Sequence, residues 1–157
     1  MGWVRGAPVQ WRLDDRERVF EPRELSDGLV ADLGEVRVEA VAVEHGLETF
    51  ALRISTADAT FAYSADSAPC EALLRVAREA DLFLCEAGTM AASSPLHLNP
   101  SQAGEVARAA GARRLELTHL RPSASPERAI RLARMTYGAE VEVATEAAEF
   151  DIGAEPT

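Results

Sequence analysis

The chain has 157 residues, 47% hydrophobic and 6% aromatic, which is enough for one globular domain with a buried core, and no apolar run approaches the roughly eighteen residues that a bilayer span needs. Its formal charge of -10 sets 26 acidic residues against 16 basic ones, all of them arginine, so an extended nucleic-acid footprint is disfavoured, although a local arginine patch can still hold one phosphate. The start M-G-W-V-R-G-A-P lacks the apolar core of a secretion signal, and Cys70 and Cys85 are too few for a disulfide framework, so a cytoplasmic protein with reduced thiols is the expectation.

No repeat of fixed period and no Gly/Ser or Pro linker divides the chain, and one domain is expected over residues 1–157. Residues 1–34 contain two tryptophans and the charged run L-D-D-R-E-R, followed by V-F-E-P-R-E-L and D-G-L-V-A-D-L-G. The last two read as short strands separated by Pro and Asp-Gly turns. V-R-V-E-A-V-A-V, residues 36–43, begins in alternation and ends in continuous apolar residues, as a strand buried on both faces at its end does. F-A-L-R-I and T-F-A-Y-S-A, separated by S-T-A-D-A, read as a hairpin with Asp in the turn. Residues 67–80 carry Leu73, Leu74 and Ala77 at helical spacing, with Pro69 placed in the first turn, where a missing N–H is tolerated. D-L-F-L-C is a short apolar strand. A helix follows over N-P-S-Q-A-G-E-V-A-R-A-A-G, with Asn99 as its cap, Pro100 at its first position and Gly111 beyond its end. R-R-L-E-L-T is a strand, the next helix runs from its Ser125 cap to Gly138, and A-E-V-E-V-A closes the chain as a strand. Strands apolar on both faces need cover on both, supplied either by helices split between the faces or by a second sheet.

The three histidines all stand at boundaries. His45 ends V-E-A-V-A-V-E-H, His119 ends R-R-L-E-L-T-H, and His97 lies in the loop S-S-P-L-H-L-N-P. Asp66 closes T-F-A-Y-S-A-D, and Glu86 ends F-L-C-E. Separate strands thus deliver imidazoles and carboxylates at their C-terminal ends, where α/β sheets collect their sites. Neutral imidazoles with a carboxylate suit a zinc-like ion whose bound water becomes hydroxide near neutral pH. Each residue also has a plainer use. A histidine after a strand serves as a hydrogen-bonded turn residue, Asp66 can cap the next helix, Glu86 can be structural, and His97 can be an ordinary loop residue. Cys85, on an all-apolar strand, reads as core.

The segments A-V-A-V-E-H-G-L-E-T-F-A-L-R-I, F-A-Y-S-A-D-S-A-P, D-L-F-L-C-E-A-G, H-L-N-P-S-Q-A-G and L-E-L-T-H-L together resemble the second half of a metallo-β-lactamase-fold hydrolase, on the ribonuclease Z and phosphodiesterase branch, over about residues 18–150. The resemblance implies an α/β fold: half of an αββα sandwich, a mixed sheet with helices on one face and the other face packed on a second sheet or chain. It implies a divalent-metal site, zinc with manganese as the alternative, in which His45 binds one ion, Asp66 bridges two and His119 binds the second. It gives His97 a part in helping the leaving group or the transition-state oxygen, and Glu86 matches its pattern at a strand end from which a carboxylate can orient a ligand or take up a proton. Cys85 stands where that family usually has a histidine, and Leu98 and Asn99 follow His97 where it has Ser-Thr.

The first-half signature of that family, H-x-H-x-D-H, does not occur in the chain. Three protein ligands spread over two ions fall short of the three donors that each zinc wants. The isolated chain is therefore expected to be incomplete as an enzyme: a fragment, a partner of a separate first-half chain, or a homodimer packed sheet to sheet. The substrate expected is a small phosphodiester in preference to RNA, with no membrane partner. Two other readings stand beside it: a non-catalytic half-domain acting through association, and a doubly wound binder with Asp66 and Ser67 at a phosphate-binding helix start.

Overall fold

The computed structural model describes residues 23–153. Both tryptophans, the run L-D-D-R-E-R and the first part of the expected strand V-F-E-P-R-E-L lie outside them, and Arg23, Glu24 and Leu25 are not in a strand. The first strand, β1 (Val30–Leu33), falls within D-G-L-V-A-D-L-G. It pairs antiparallel with β2 (Val36–Ala42) through the two-residue loop Gly34–Glu35, where Gly34 at φ 67° supplies the left-handed residue such a tight hairpin requires. β3 (Phe50–Ser55) and β4 (Thr60–Tyr63) continue the antiparallel run. In their connecting loop, where Asp58 lies as expected, the Thr56 hydroxyl accepts the N–H groups of Asp58 and Ala59 and closes the turn.

From β4 onward the sheet is parallel. β5 (Leu82–Glu86), β6 (Leu115–Thr118) and β7 (Val141–Val143) are added in chain order, through α1 (Glu71–Ala77), α2 (Pro100–Ala110) and α3 (Pro126–Tyr137). Each crossover steps the same way across the sheet, and because such crossovers are right-handed all three helices lie on one face. α2 accordingly packs between α1 and α3. Under the helices one set of alternating strand residues, Val41, Ala51, Ala62, Phe83, Cys85, Leu115, Leu117 and Val141, forms a single core with Leu73, Val76, Ala103 and Ala133. The fold is thus α/β with a mixed seven-stranded sheet and helices on one face, and the doubly wound arrangement is excluded.

The caps of α2 and α3 fall where the sequence puts them. Asn99 and Gln102 form a reciprocal capping box, Ser125 accepts the N–H of Arg128, and Gly111 and Gly138 close the two helices in the left-handed conformation. The helix expected over 67–80 is shorter, Glu71–Ala77, and Pro69 precedes it. The residues ahead of it are held extended by bonds to the neighbouring loops: Ser67 donates its N–H to Glu86 and Ala68 donates to the Glu44 carbonyl. At the other end Arg78, with ψ 116°, leaves the helical conformation, and Glu79 follows at a left-handed φ of 50°.

Two rows of side chains cross the helix-free face, Val38–Ile54–Phe61–Leu82 and Ala40–Leu52–Tyr63–Leu84–Glu116–Glu142. The segment after β7 runs back over the β6 side of this face. The Arg114 guanidinium sits 5.1 Å from the Phe150 ring centroid, and Gly153 lies against Ala59. Glu116 is buried there, with Oε1 held by Arg114, while Oε2 has no hydrogen-bond partner among the described residues. Val38, Leu52, Ile54, Phe61 and Leu84 are half-buried. Among the described residues no helix is long and apolar enough to cross a membrane.

Candidate metal centre

β2, β4, β5 and β6 run in one direction, so their C-terminal ends share one edge of the sheet. His45, Asp66, Glu86 and His119 therefore arrive at a common rim, and the loop after β5 brings His97 to it. Two of the exits are bent. Ala65 and His119 adopt left-handed φ values of 52° and 58°, a conformation that costs a residue with a side chain on the order of 1 kcal/mol.

Glu86 organises the rim from beneath. It is fully buried; its Oε1 accepts the Ser67 N–H at 2.8 Å and faces His97 Nδ1 at 3.0 Å, and its Oε2 accepts the Gly88 N–H at 2.7 Å. Its own N–H donates to the Ser64 hydroxyl, which in turn donates to the Ala65 carbonyl. A buried carboxylate is tolerable only when its oxygens are hydrogen-bonded, and here the satisfying donors come from two of the loops that carry the site, the one after β4 and the one after β5. Facing a carboxylate oxygen, His97 Nδ1 bears the ring proton, which leaves Nε2 with a free lone pair.

His97 is also fixed from both sides along the chain. Its N–H donates to Ser94 Oγ, Leu98 is fully buried, and Asn99 caps α2 while its side-chain amide donates to the carbonyls of Ala91 and Ala92. Those roles explain why Leu-Asn follows this histidine. His45 Nδ1 donates to the Leu96 carbonyl at 3.0 Å, and the three imidazoles form a row, with ring centroids 5.4 Å apart from His45 to His97 and 5.2 Å from His97 to His119.

Within this rim, Asp66, His97 and His119 each present a ligand atom within 4.8 Å of the other two. His119 Nε2 and Asp66 Oδ2 lie 3.6 Å apart, both partly exposed. Zinc takes nitrogen and oxygen at about 2.0–2.2 Å, so donors at this spacing close on one ion with small ring rotations, and two imidazoles with a carboxylate are a donor set zinc accepts. The structure thus gathers His97 with Asp66 and His119, while His45 stands beside His97 outside the trio.

Several residues at the rim escaped the sequence reading. Gly88 is the closest-packed: a Cβ there would lie 2.7 Å from His119 Cδ2 and 3.0 Å from His97 Nδ1. Arg121 Nε donates to the Gly88 carbonyl at 2.9 Å. Tyr63 lies near enough for Asp66 and Glu86 to add to the effect of burial, which holds its phenol above the ordinary range. The Gly in E-A-G was a signal available for the first; for Arg121 and Tyr63 nothing local marks them. Cys85 points into the helix-side core, where burial pushes its thiol pKa up and leaves it unreactive.

The β-lactamase superfamily domain family matches residues 8–120 of the chain. An uncharacterized protein of Mycobacterium leprae is 35% identical over 160 residues, which cover 97% of this chain and 56% of that protein. A ribonuclease Z of Myxococcus xanthus is 41% identical over 88 residues, covering 52% of this chain and 29% of that one. Among solved structures, the metallo-β-lactamase fold protein YhfI of Bacillus subtilis superposes with a TM-score of 0.72 at 26% identity, over 76% of this chain and 51% of that chain. The chain spans about half the length of the curated relatives it matches. Its sheet, its donor cluster and these similarities agree, and the chain belongs to the β-lactamase superfamily domain family, as a ribonuclease Z-like member with the metallo-β-lactamase hydrolase fold.

Proposed function

We propose that the chain serves a metal-dependent hydrolase acting on a small phosphodiester, with zinc as its ion and manganese as the alternative. The observation that carries this reading is the convergence of Asp66, His97 and His119 at one rim. These three would hold the ion, which when bound supplies Lewis acidity and a hydroxide nucleophile at neutral pH. Glu86 keeps the His97 proton on Nδ1, so that Nε2 faces outward for either of its uses, as a ligand or as the group that hands a proton to the leaving alcohol. RNA is the weaker candidate because a surface of net charge -10 repels a polyanion. The free Cys70 and Cys85 suit a reducing, cytoplasmic setting.

A dinuclear centre needs about three donors per ion, so the further donors come from a second sheet. That sheet would also cover the half-buried rows around Val38, Ile54 and Phe61. A first-half segment or a second copy of the chain can supply it. The same face favours the rival reading, association without catalysis. Zinc titration and hydrolysis of bis(p-nitrophenyl) phosphate, with Asp66→Ala and His119→Ala as controls, decide between them. Zinc uptake that both substitutions weaken, together with turnover, supports the hydrolase; a stable dimer that takes up no zinc and turns nothing over supports association alone.

A further inference from the structure

Among the described residues, the rim carries one cation whose terminal donors are uncommitted. Most other arginines of the sheet and its edges are engaged: Arg37 with Asp32, Arg75 with Asp27 and Glu39, Arg113 with Asp81, and Arg114 with Glu116. Arg53, in the polar cavity at the opposite edge of the sheet, gives its Nη1 to the carbonyls of Val76 and Arg78. Arg121 differs. It is exposed, no carboxylate pairs with it among the described residues, and its one hydrogen bond runs from Nε to the Gly88 carbonyl.

That single bond fixes where the guanidinium sits. Gly88 touches the rest of the site, with its Cα substituent position against His119, His97 and Glu86 Oε2. Arg121 is two residues beyond His119. The planar group is thus hydrogen-bonded to the glycine that packs against both imidazoles, and its terminal NH2 groups have no partner among the described residues. A guanidinium held in this way presents a rigid fork suited to phosphate oxygens.

The charge balance at the rim gives that fork a task. Asp66 and Glu86 formally offset the charge of one divalent ion, and the protein around them is acidic. An anionic diester approaching such a rim meets no net attraction unless a fixed cation stands there. We propose that Arg121 is the specificity-determining residue of the site, binding a non-bridging oxygen of the substrate phosphate and so selecting anionic over neutral esters. This rests on the hydrolase reading for its substrate, but the oxyanion contact can be tested apart from turnover.

The test uses inorganic phosphate as the probe, followed by NMR shifts of the site residues, in wild type, Arg121→Ala and Arg121→Lys, each with and without zinc. The expected result is phosphate binding about tenfold weaker in Arg121→Ala and less weakened in Arg121→Lys, with zinc affinity and melting temperature unchanged. Where turnover of bis(p-nitrophenyl) phosphate is measurable, KM rises in the same order and hydrolysis of a neutral aryl ester does not change. Equal phosphate affinity in wild type and Arg121→Ala overturns the proposal. So does a loss of zinc affinity in parallel with phosphate, which would mean that Arg121 only braces Gly88. If wild type takes up no zinc either alone or with a first-half chain added, the hydrolase reading fails, while the metal-free comparison still decides the role of Arg121.

Discussion

Replacing Glu86 with glutamine changes no shape and removes one acceptor from a fully buried position. The carboxylate receives the Ser67 and Gly88 N–H groups and the His97 Nδ1–H, two on Oε1 and one on Oε2. A glutamine has one acceptor oxygen. If that oxygen takes the Oε1 place, the new NH2 group confronts the Gly88 N–H; if it takes the Oε2 place, the NH2 group confronts the Ser67 N–H. Either way one buried backbone donor is orphaned, which costs about 1–3 kcal/mol. At roughly 3 °C per kcal/mol for a chain of this size, the melting temperature falls by about 3–9 °C. Urea denaturation measures the free energy directly, and an unchanged m-value shows that the folded state has kept its compactness. The second orientation also presents an NH2 group to His97 Nδ1 and drives the ring proton to Nε2, a change visible in the imidazole nitrogen shifts. A Glu86→Gln variant within about 0.5 kcal/mol of wild type, with the His97 tautomer unaltered, would refute the claim that this carboxylate ties the loops after β4 and β5 together.

Gly88→Ala places a methyl 2.7 Å from His119 Cδ2, so that ring must move by about 0.7 Å to reach ordinary contact; zinc affinity by calorimetry should fall on the order of tenfold to a hundredfold, and an unchanged affinity counts against the packing assigned to this glycine. Ala65→Gly relieves a left-handed φ of 52° and should be neutral or stabilise by up to about 1 kcal/mol in denaturant melts, because the entropy glycine gains in the unfolded chain offsets part of the relief. Glu116 has a raised pKa, first from burial, against which Arg114 works; a carboxyl with a folded pKa above its unfolded one favours folding most at low pH and loses that contribution as pH rises from the ordinary glutamate range through the folded value. Glu116→Gln should therefore gain stability relative to wild type on going from pH 4 to pH 7, by about 1.4 kcal/mol for each unit of the shift, and a difference that stays flat across that range shows that the buried oxygen is not uncompensated.

The reading of the sequence succeeded where one kind of force decides. Asn99, Ser125, Gly111 and Gly138 bound their helices as expected because caps are local chemistry. The strand ends that deliver His45, Asp66 and His119 were legible because apolar periodicity stops abruptly there. The start of α1 was not legible: helical spacing begins near Ser67, but the backbone of Ser67 and Ala68 is committed to Glu86 and Glu44, contacts that join distant segments. Arg121 was not legible for a similar reason, since it matters only through what the fold brings against it, while Gly88 had the glycine of E-A-G as its one local sign. The cover on the helix-free face was half anticipated. A second layer was expected, and on the β6 side the chain's own segment around Phe150 provides it.

The departures from the family pattern and the geometry of the rim have a common explanation. Cys85 stands where a histidine is usual, yet its side chain faces the helices, so the strand that ends at Glu86 gives its inward position to packing and its outward position to the site. A histidine at that point would have to be buried in the helix-side core beside Leu117, where an imidazole without a partner is costly. With that position filled by a small apolar thiol, the polar work falls on Glu86, which binds the Ser67 and Gly88 N–H groups together with the His97 imidazole. Asp66 and His97 are consequently placed by hydrogen bonds to one carboxylate, through the Ser67 N–H next to Asp66 and through Nδ1 of His97 itself. Such bonds hold whether or not an ion is bound, so metal affinity should respond to Glu86 and Gly88 almost as strongly as to the ligands themselves.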